Sequence, residues 1–217
     1  KIKMAEKEKS KLKPFMNDCI EAGVDEVGRG ALAGPVVTAA VILPKDFDNP
    51  LIKDSKKLNW KQLEAAYKII DEQAISWSVF QHSPEMIDKH NILATTIMAM
   101  HGAIENLSII PEHILVDGNQ FKEYYSAKTF KKVPHDTVVK GDGKYYSIAA
   151  ASIMAKVTRD KLMHELSIEF PNYGWDSNVG YATQKHRDAI KQYGITEHHR
   201  KSFLGALTVE MGLNPLF

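Results

Sequence analysis

Two adjacent carboxylates, Asp25 and Glu26, lead into a loop where three glycines fall within seven residues, Gly28-Arg29-Gly30-Ala31-Leu32-Ala33-Gly34. Two further acids, Asp117 and Asp142, close later apolar runs, Ile114-Leu115-Val116 and Thr137-Val138-Val139-Lys140-Gly141. Acids at the ends of neighbouring strands repel one another unless a cation neutralises them. Mg²⁺ or Mn²⁺ suits an all-oxygen donor set, and no Cys/His spacing typical of zinc accompanies these residues. Such a set leaves room for two divalent ions ~3.5–4 Å apart, an arrangement that serves both the attacking and the leaving oxygen in phosphodiester hydrolysis. The glycines let backbone turn tightly and approach a ligand closely. One difficulty stands in the pleat: neighbours on a strand point to opposite faces, so Asp25 and Glu26 share a site only if the chain bends near Val27-Gly28.

The elements that must carry these residues are legible from periodicity and turn chemistry. Cys19 to Val24 reads as a strand, and Pro35 to Leu43 as its partner across the glycine loop. Asn59, with Gln62 three positions on, predicts a capped helix from Trp60 to about Asp71. Ile75 to Phe80 alternates as a third strand; Ser83-Pro84 starts a helical pattern that runs through Ile87, Ile92, Met100 and Ile104 to Asn106. Ile114–Asp117 and Thr137–Asp142 are the remaining strands, separated by a basic, aromatic surface excursion over Phe121–Pro134. A small-residue helix from Tyr146 to about Phe170 should be packed on both sides. Thr183 caps a helix that stops near Gly194, and a short helix carries Phe203, Leu204 and Leu207. Strands first, a helix–strand alternation in the middle and helices last predict an α/β sheet domain with a helical C-terminal cap. Residues 1–18 read as a charged tail and 19–217 as a single domain.

With 217 residues, 44% hydrophobic and 25% charged, the chain has enough material for one full core. A formal net charge of +1 argues against tight, nonspecific nucleic-acid binding through a global field. The single cysteine, Cys19, forms no intrachain disulfide, and no apolar run approaches the ~18 residues of a membrane span. A cytoplasmic monomer without membrane contact is the expectation.

Ordered blocks along the chain give it a resemblance to ribonuclease HII. They are Asp25-Glu26-Val27-Gly28-Arg29-Gly30 with Leu32-Ala33-Gly34-Pro35; Asp54-Ser55-Lys56-Lys57-Leu58; Asn91-Ile92-Leu93-Ala94-Thr95; Leu115-Val116-Asp117-Gly118-Asn119; and Lys140-Gly141-Asp142. Ser147 to Ser152, Ala155 to Asp160 and Asn178 to Thr183 with His186 complete the series. The resemblance implies a ribonuclease H-like α/β fold, a five-stranded mixed sheet flanked by helices with a helical C-terminal part from about residue 171. It implies hydrolysis of the RNA strand of RNA–DNA hybrids, and incision of duplex DNA 5′ to an embedded ribonucleotide, leaving 3′-hydroxyl and 5′-phosphate ends. It implies that Asp25, Glu26, Asp117 and Asp142 hold two divalent ions, Mg²⁺ or Mn²⁺. It assigns Gly28, Arg29 and Gly30 to the ribose 2′-hydroxyl and nearby phosphate, and Tyr181 to the adjacent deoxyribose. Lys56 and Lys156 are candidate phosphate contacts, and His186 is expected to be structural. The run His198-His199-Arg200-Lys201 is either additional nucleic-acid surface or simply exposed. The Phe121–Thr137 segment, longer than usual in the family, is expected to reshape the groove rim without touching the metals. A sliding clamp is a possible partner through the apolar end Gly212–Phe217. Two other readings compete: another ribonuclease H-fold metal nuclease of resolvase or integrase type, and a non-catalytic hybrid-binding module. The first gives no reason for Gly28-Arg29-Gly30 with Tyr181; the second predicts a missing carboxylate.

Overall fold

The computed structural model describes residues 12–210. Three consecutive strands form an antiparallel meander: β1 (Glu21–Val27), β2 (Val36–Ile42) and β3 (Ser76–His82). Helix α1 (Trp60–Gln73) connects β2 to β3, and α2 (Pro84–His90) and α3 (Ile92–Glu105) intervene between β3 and β4 (His113–Asp117), which pairs in parallel with β1 on its other side. A two-stranded hairpin of β5 (Tyr124–Tyr125) and β6 (Lys132–Val133) leads to β7 (His135–Val138), parallel to β4. The five-stranded sheet thus has the order β3-β2-β1-β4-β7. The long helix α4 (Tyr146–Glu169) follows, then α5 (Trp175–Asn178), α6 (Gln184–Tyr193) and α7 (Gly205–Glu210).

The two-residue strand period sorts the core onto two faces. Val37, Ala39 and Val41 point to α4 and α1, where they meet Ala149, Ala150 and Ile153. Ala22, Val24, Ile114 and Val116 point the other way, to Met100, Ala103 and Ile104 of α3. As its small-residue run predicts, α4 is buried on all sides from Tyr146 to Ala155. Its first turn lies so close to β1 that a Cβ on Gly23 would stand 2.2 Å from the Ser147 carbonyl carbon. Backbone against backbone cannot yield as a side-chain tip can. Gly23→Ala is therefore expected to cost about 3 kcal/mol, and to lower the melting temperature by roughly 6–12 °C in a thermal unfolding scan.

The capping box expected at Asn59 forms in both directions, each hydrogen bond with Gln62 being 3.0 Å. Ser83 and Thr183 likewise cap α2 and α6. Three expectations need correction. The helical pattern from Ile87 to Asn106 is not one helix: Asn91 adopts φ 62° and its side chain accepts a 3.0 Å hydrogen bond from Ala94 N–H, ending α2 and starting α3. Asparagine tolerates that left-handed backbone, and its side chain competes with helix continuation. Nor does the last strand reach Asp142. β7 ends at Val138, and after the left-handed Lys140 (φ 56°) Asp142 sits in a 3₁₀ turn, Gly141–Gly143.

The excursion after β4 does not border the acids either. Tyr124 O–H donates to Glu105 at the C-terminal end of α3, and Lys128 Nζ donates to the Leu107 carbonyl at 2.9 Å. That end is tied to Ser76 through Ser108 N–H at 3.0 Å, and Ser76 pairs with Ile42, which pairs with Ala22. The hairpin therefore packs at the end of the sheet opposite Asp25 and Asp117. Its length follows from covering the apolar end of α3, where Tyr124 and Val133 are buried.

Candidate active site

Parallel pairing of β1 with β4 sets Val24 opposite Val116, so Asp25 and Asp117 are the next positions on the two strands and share the α4 face. Asp142 reaches the same corner from its turn: Gly141 N–H donates to Asp117 Oδ1 at 2.6 Å, which draws the turn against the end of β4. Glu26 alternates to the other face, as the pleat requires, but at the strand end its carboxylate still reaches the same cleft and meets Arg29 Nη1 at 3.2 Å. The cleft, about 350 Å³, is walled by Asp25, Glu26 and Asp117, by Gly28, Arg29 and Gly30, and by Lys56, Lys156 and Tyr181, with Ser55 and Ser152 at its base. Asp142 stands behind Lys56, whose Nζ lies 3.2 Å from Asp142 Oδ2.

Electrostatically the corner carries an excess of negative charge. Burial pushes the Asp25 carboxyl well above the ordinary aspartate range, and the charges of Glu26 and Asp117 push it further; hydrogen bonds from Ser152 and from Glu26 N–H oppose them. Glu26 is raised by burial and held back chiefly by Arg29. Asp117 is raised by burial, with the Gly141 N–H pulling it down and Asp142 pushing it up. Carboxyls that resist ionisation beside one another are the usual mark of a site awaiting a cation. The donors fit a hard divalent ion in kind, being all oxygen, with no thiol or imidazole among the lining residues. As the side chains stand, no three Asp, Glu, His or Cys groups among the described residues are gathered around one ion position. Glu26 is engaged by Arg29 and Asp142 by Lys56.

The lysines and tyrosine occupy distinct positions. Lys56 is mostly exposed at the mouth, while Lys156 is partly buried and held by Asp160 at 2.8 Å. The Tyr181 ring, 37% exposed, lies 4.0 Å from where a Gly30 Cβ would be, across the glycine loop, with the Arg159 guanidinium 5.6 Å from its centroid. The Tyr181 carbonyl can only accept, so the 3.0 Å contact from His186 Nδ1 places a proton on that nitrogen. His186 Nε2 then accepts from Trp175 Nε1 at 3.0 Å and from His199 Nε2 at 3.2 Å. His186 is fully buried, so it anchors Tyr181 rather than facing the cleft.

The run expected at the surface around Arg200 behaves differently from the sequence reading. His199 and Arg200 are buried at 1% and 0% exposure and form no nucleic-acid surface. Arg200 and the equally buried Arg159 turn inward onto the glycine loop: Arg159 donates to the carbonyls of Ala33, Pro35 and Val179 at 2.8–3.0 Å. Burial, then the charge of Arg159, pushes Arg200 down to about 9. Sequence reasoning missed both arginines because charged residues are ordinarily solvated. No local signal marks either one: Arg159 is followed by Asp160, and Arg200 sits in the polar run His198-His199-Arg200-Lys201.

His199 also makes the C-terminal part acid-sensitive. Burial, then His186, lowers its pKa to about 3. A base whose folded pKa lies below the unfolded value of about 6.5 contributes stability that is full above pH 6.5 and is lost as pH falls toward 3. The loss is on the order of 1.4 kcal/mol per pH unit in that window. Melting temperature measured from pH 7.5 to 4 should fall, and His199→Gln should flatten that fall.

Comparison with known proteins bears on the family and the fold. The family model described as Ribonuclease HII matches residues 22–206. The ribonuclease HII of Bacteroides thetaiotaomicron is 53% identical over 193 residues, 88% of this chain and 94% of that protein. Among solved structures, the crystal structure of the ribonuclease H2 from Pyrococcus horikoshii OT3 superposes with a TM-score of 0.73 at 26% identity, covering 89% of this chain and 99% of that one. The structure of the PCNA:RNase HII complex from Archaeoglobus fulgidus gives 0.68 at 27% identity, covering 83% and 93%. No helix among the described residues is long and apolar enough to cross a membrane. A mixed sheet that gathers distant acids beside a glycine loop, matched along nearly its whole length by one family, leaves a single assignment: the chain belongs to the ribonuclease HII family.

Proposed function

We propose that this protein is a metal-dependent endoribonuclease that cleaves the RNA strand of RNA–DNA hybrids and incises duplex DNA on the 5′ side of an embedded ribonucleotide, leaving 3′-hydroxyl and 5′-phosphate ends. The observation that carries this reading is the register of β1 against β4, which puts Asp25 and Asp117 on one face beside the Gly28-Arg29-Gly30 loop. Asp25, Glu26, Asp117 and Asp142 are the residues that would hold two divalent ions, Mg²⁺ or Mn²⁺. Ions bound there supply a water of lowered pKa and neutralise charge on the departing oxygen.

The remaining work falls to the chain itself. Gly28, Arg29 and Gly30 present backbone to the ribose, whose 2′-hydroxyl is the only group that separates the two sugars. Tyr181 offers its ring face to the neighbouring deoxyribose. Lys56 and Lys156 offer point charges to phosphates, which position the duplex without reading its sequence. Burial of Asp25 and the Ser152 hydrogen bond keep that carboxylate fixed before substrate arrives. The clamp-bound relative supports a partner of that kind here, although Gly212–Phe217, the expected contact, lie outside the described residues.

The test is incision of a labelled duplex with one ribonucleotide, and of a full hybrid, under Mg²⁺ and under Mn²⁺. Product from both substrates, with the single cut 5′ to the ribonucleotide, is the expected result. Cutting of an all-DNA duplex at a comparable rate, or no product with either metal, would overturn the reading.

A further inference from the structure

Arg200 is fully buried, and among the described residues no carboxylate lies within ion-pair distance of it. A guanidinium buried without an acid is costly, so its hydrogen bonds must decide why it is there. They all go to main-chain carbonyls. Nε and Nη2 donate to Gly34 at 3.0 and 2.9 Å, and Nη1 donates to Arg29 at 2.9 Å. The planar fork thereby joins two points of the glycine loop that are five positions apart in sequence. A lysine, with one nitrogen at the end of a flexible stem, cannot hold both in one geometry.

The grip on Arg29 has a directional consequence. A trans peptide is planar, with C=O and N–H on opposite sides, and the described chain has no cis bond. Drawing the Arg29 carbonyl inward turns the N–H of Gly30 outward, where Gly30 walls the acidic cleft. No acceptor among the described residues takes that N–H. An unpaired backbone donor aimed into a cleft is a place for a ligand oxygen. Gly30 also lacks the Cβ that would otherwise screen it, and among the described residues, its chain neighbours apart, only the Tyr181 ring comes within 4.0 Å of where that Cβ would be.

We propose that Arg200 is a positioning residue for ribose selectivity, holding the Arg29 carbonyl so that the Gly30 N–H meets the 2′-oxygen of the ribonucleotide. The inference rests on reading the cleft as a ribonucleotide site, and it adds a residue outside the cleft as the one that sets the discrimination.

The experiment measures affinity without divalent metal for two duplexes, one all DNA and one with a single ribonucleotide, as a ratio of dissociation constants. A ratio is independent of the folded fraction, so a merely structural defect leaves it unmoved. Wild-type protein should prefer the ribonucleotide duplex. Arg200→Lys should reduce that preference at least 10-fold while DNA affinity changes less than 3-fold. Leu107→Ala, a core change in the far layer, should lower the melting temperature and leave the ratio intact. A wild-type ratio near one would sink the ribonucleotide reading itself. A large wild-type ratio that survives in Arg200→Lys would overturn only the role of Arg200. Should the lysine variant fail to fold, Arg200→Gln is judged by the same ratio, and the ¹⁵N amide of Gly30 in wild-type protein tests the contact that Arg200 is proposed to set. It should shift on adding the ribonucleotide duplex and not on adding DNA, and an unmoved amide with both duplexes overturns the proposal.

Discussion

Asp25→Asn should abolish strand incision, by on the order of 10³-fold or more, while making the metal-free protein more stable. The first effect follows from losing a carboxylate at the centre of the acidic corner, where preorganised charge is worth most. The second follows from the folded pKa of Asp25, raised by burial and then by Glu26 and Asp117. An acid whose folded pKa lies above its unfolded value of about 3.8 contributes stability that is full below that value and is lost as pH rises through the folded pKa. At neutral pH the aspartate charge therefore opposes folding, and the neutral amide removes the repulsion at almost unchanged shape. The variant should melt a few degrees above wild type at pH 7.5 without divalent ions, and the gap should close toward pH 4. Added Mn²⁺ should reverse the order. A ligand at 100 times its dissociation constant stabilises by about 2.7 kcal/mol, and wild-type protein retains the full donor set. Near wild-type incision by Asp25→Asn, or an equal Mn²⁺-induced shift in both proteins, would contradict the assignment.

Gly28→Ala should damage stability and incision together. Gly28 has φ 90°, a conformation that L side chains rarely adopt, and its Cβ would lie 2.2 Å from Arg159 Nε. Backbone strain there costs about 1–3 kcal/mol. Displacing Arg159 also loosens the carbonyls of Ala33, Pro35 and Val179 at once. A total of roughly 2–4 kcal/mol is expected in denaturant melts. Incision should fall about 10²-fold or more, because the loop that presents backbone to the ribose would shift. Gly30→Ala separates the two effects, since its Cβ would meet nothing nearer than the Tyr181 ring at 4.0 Å. Its stability should stay within about 0.5 kcal/mol of wild type, and any loss of incision would then report crowding of the substrate alone. A Gly28→Ala protein as stable and active as Gly30→Ala would show that the loop tolerates an altered entry.

The acids, the glycine loop and the strands beside them were legible in the sequence for local reasons. Strands end where apolar alternation meets turn residues, a capping box needs only Asn59 and Gln62, and a run as small as Ala149-Ala150-Ala151 must be packed closely. Blocks in one order along the chain made the family resemblance specific, and family relatives bear it out. Other features depended on partners the local pattern does not name. The apolar pattern gives no stop at Asn91; the break between the two helices lies in one side chain choosing the Ala94 N–H. The hairpin after Asp117 looks like surface from its lysines and aromatics, yet Tyr124 and Val133 are buried under α3.

From the sequence alone came which acids stand beside the glycine loop, the need for backbone freedom at that loop, and the order of strands and helices. Only the tertiary structure decided that Asp142 reaches its place from a 3₁₀ turn and that Glu26 shares the cleft from the opposite pleat face. It alone decided that Arg159 and Arg200 stand beneath the loop as its support. The physical reason is range. Propensity and periodicity act over a few residues, whereas Arg200 finds Arg29 across 171 positions of chain, a pairing only the folded state can specify.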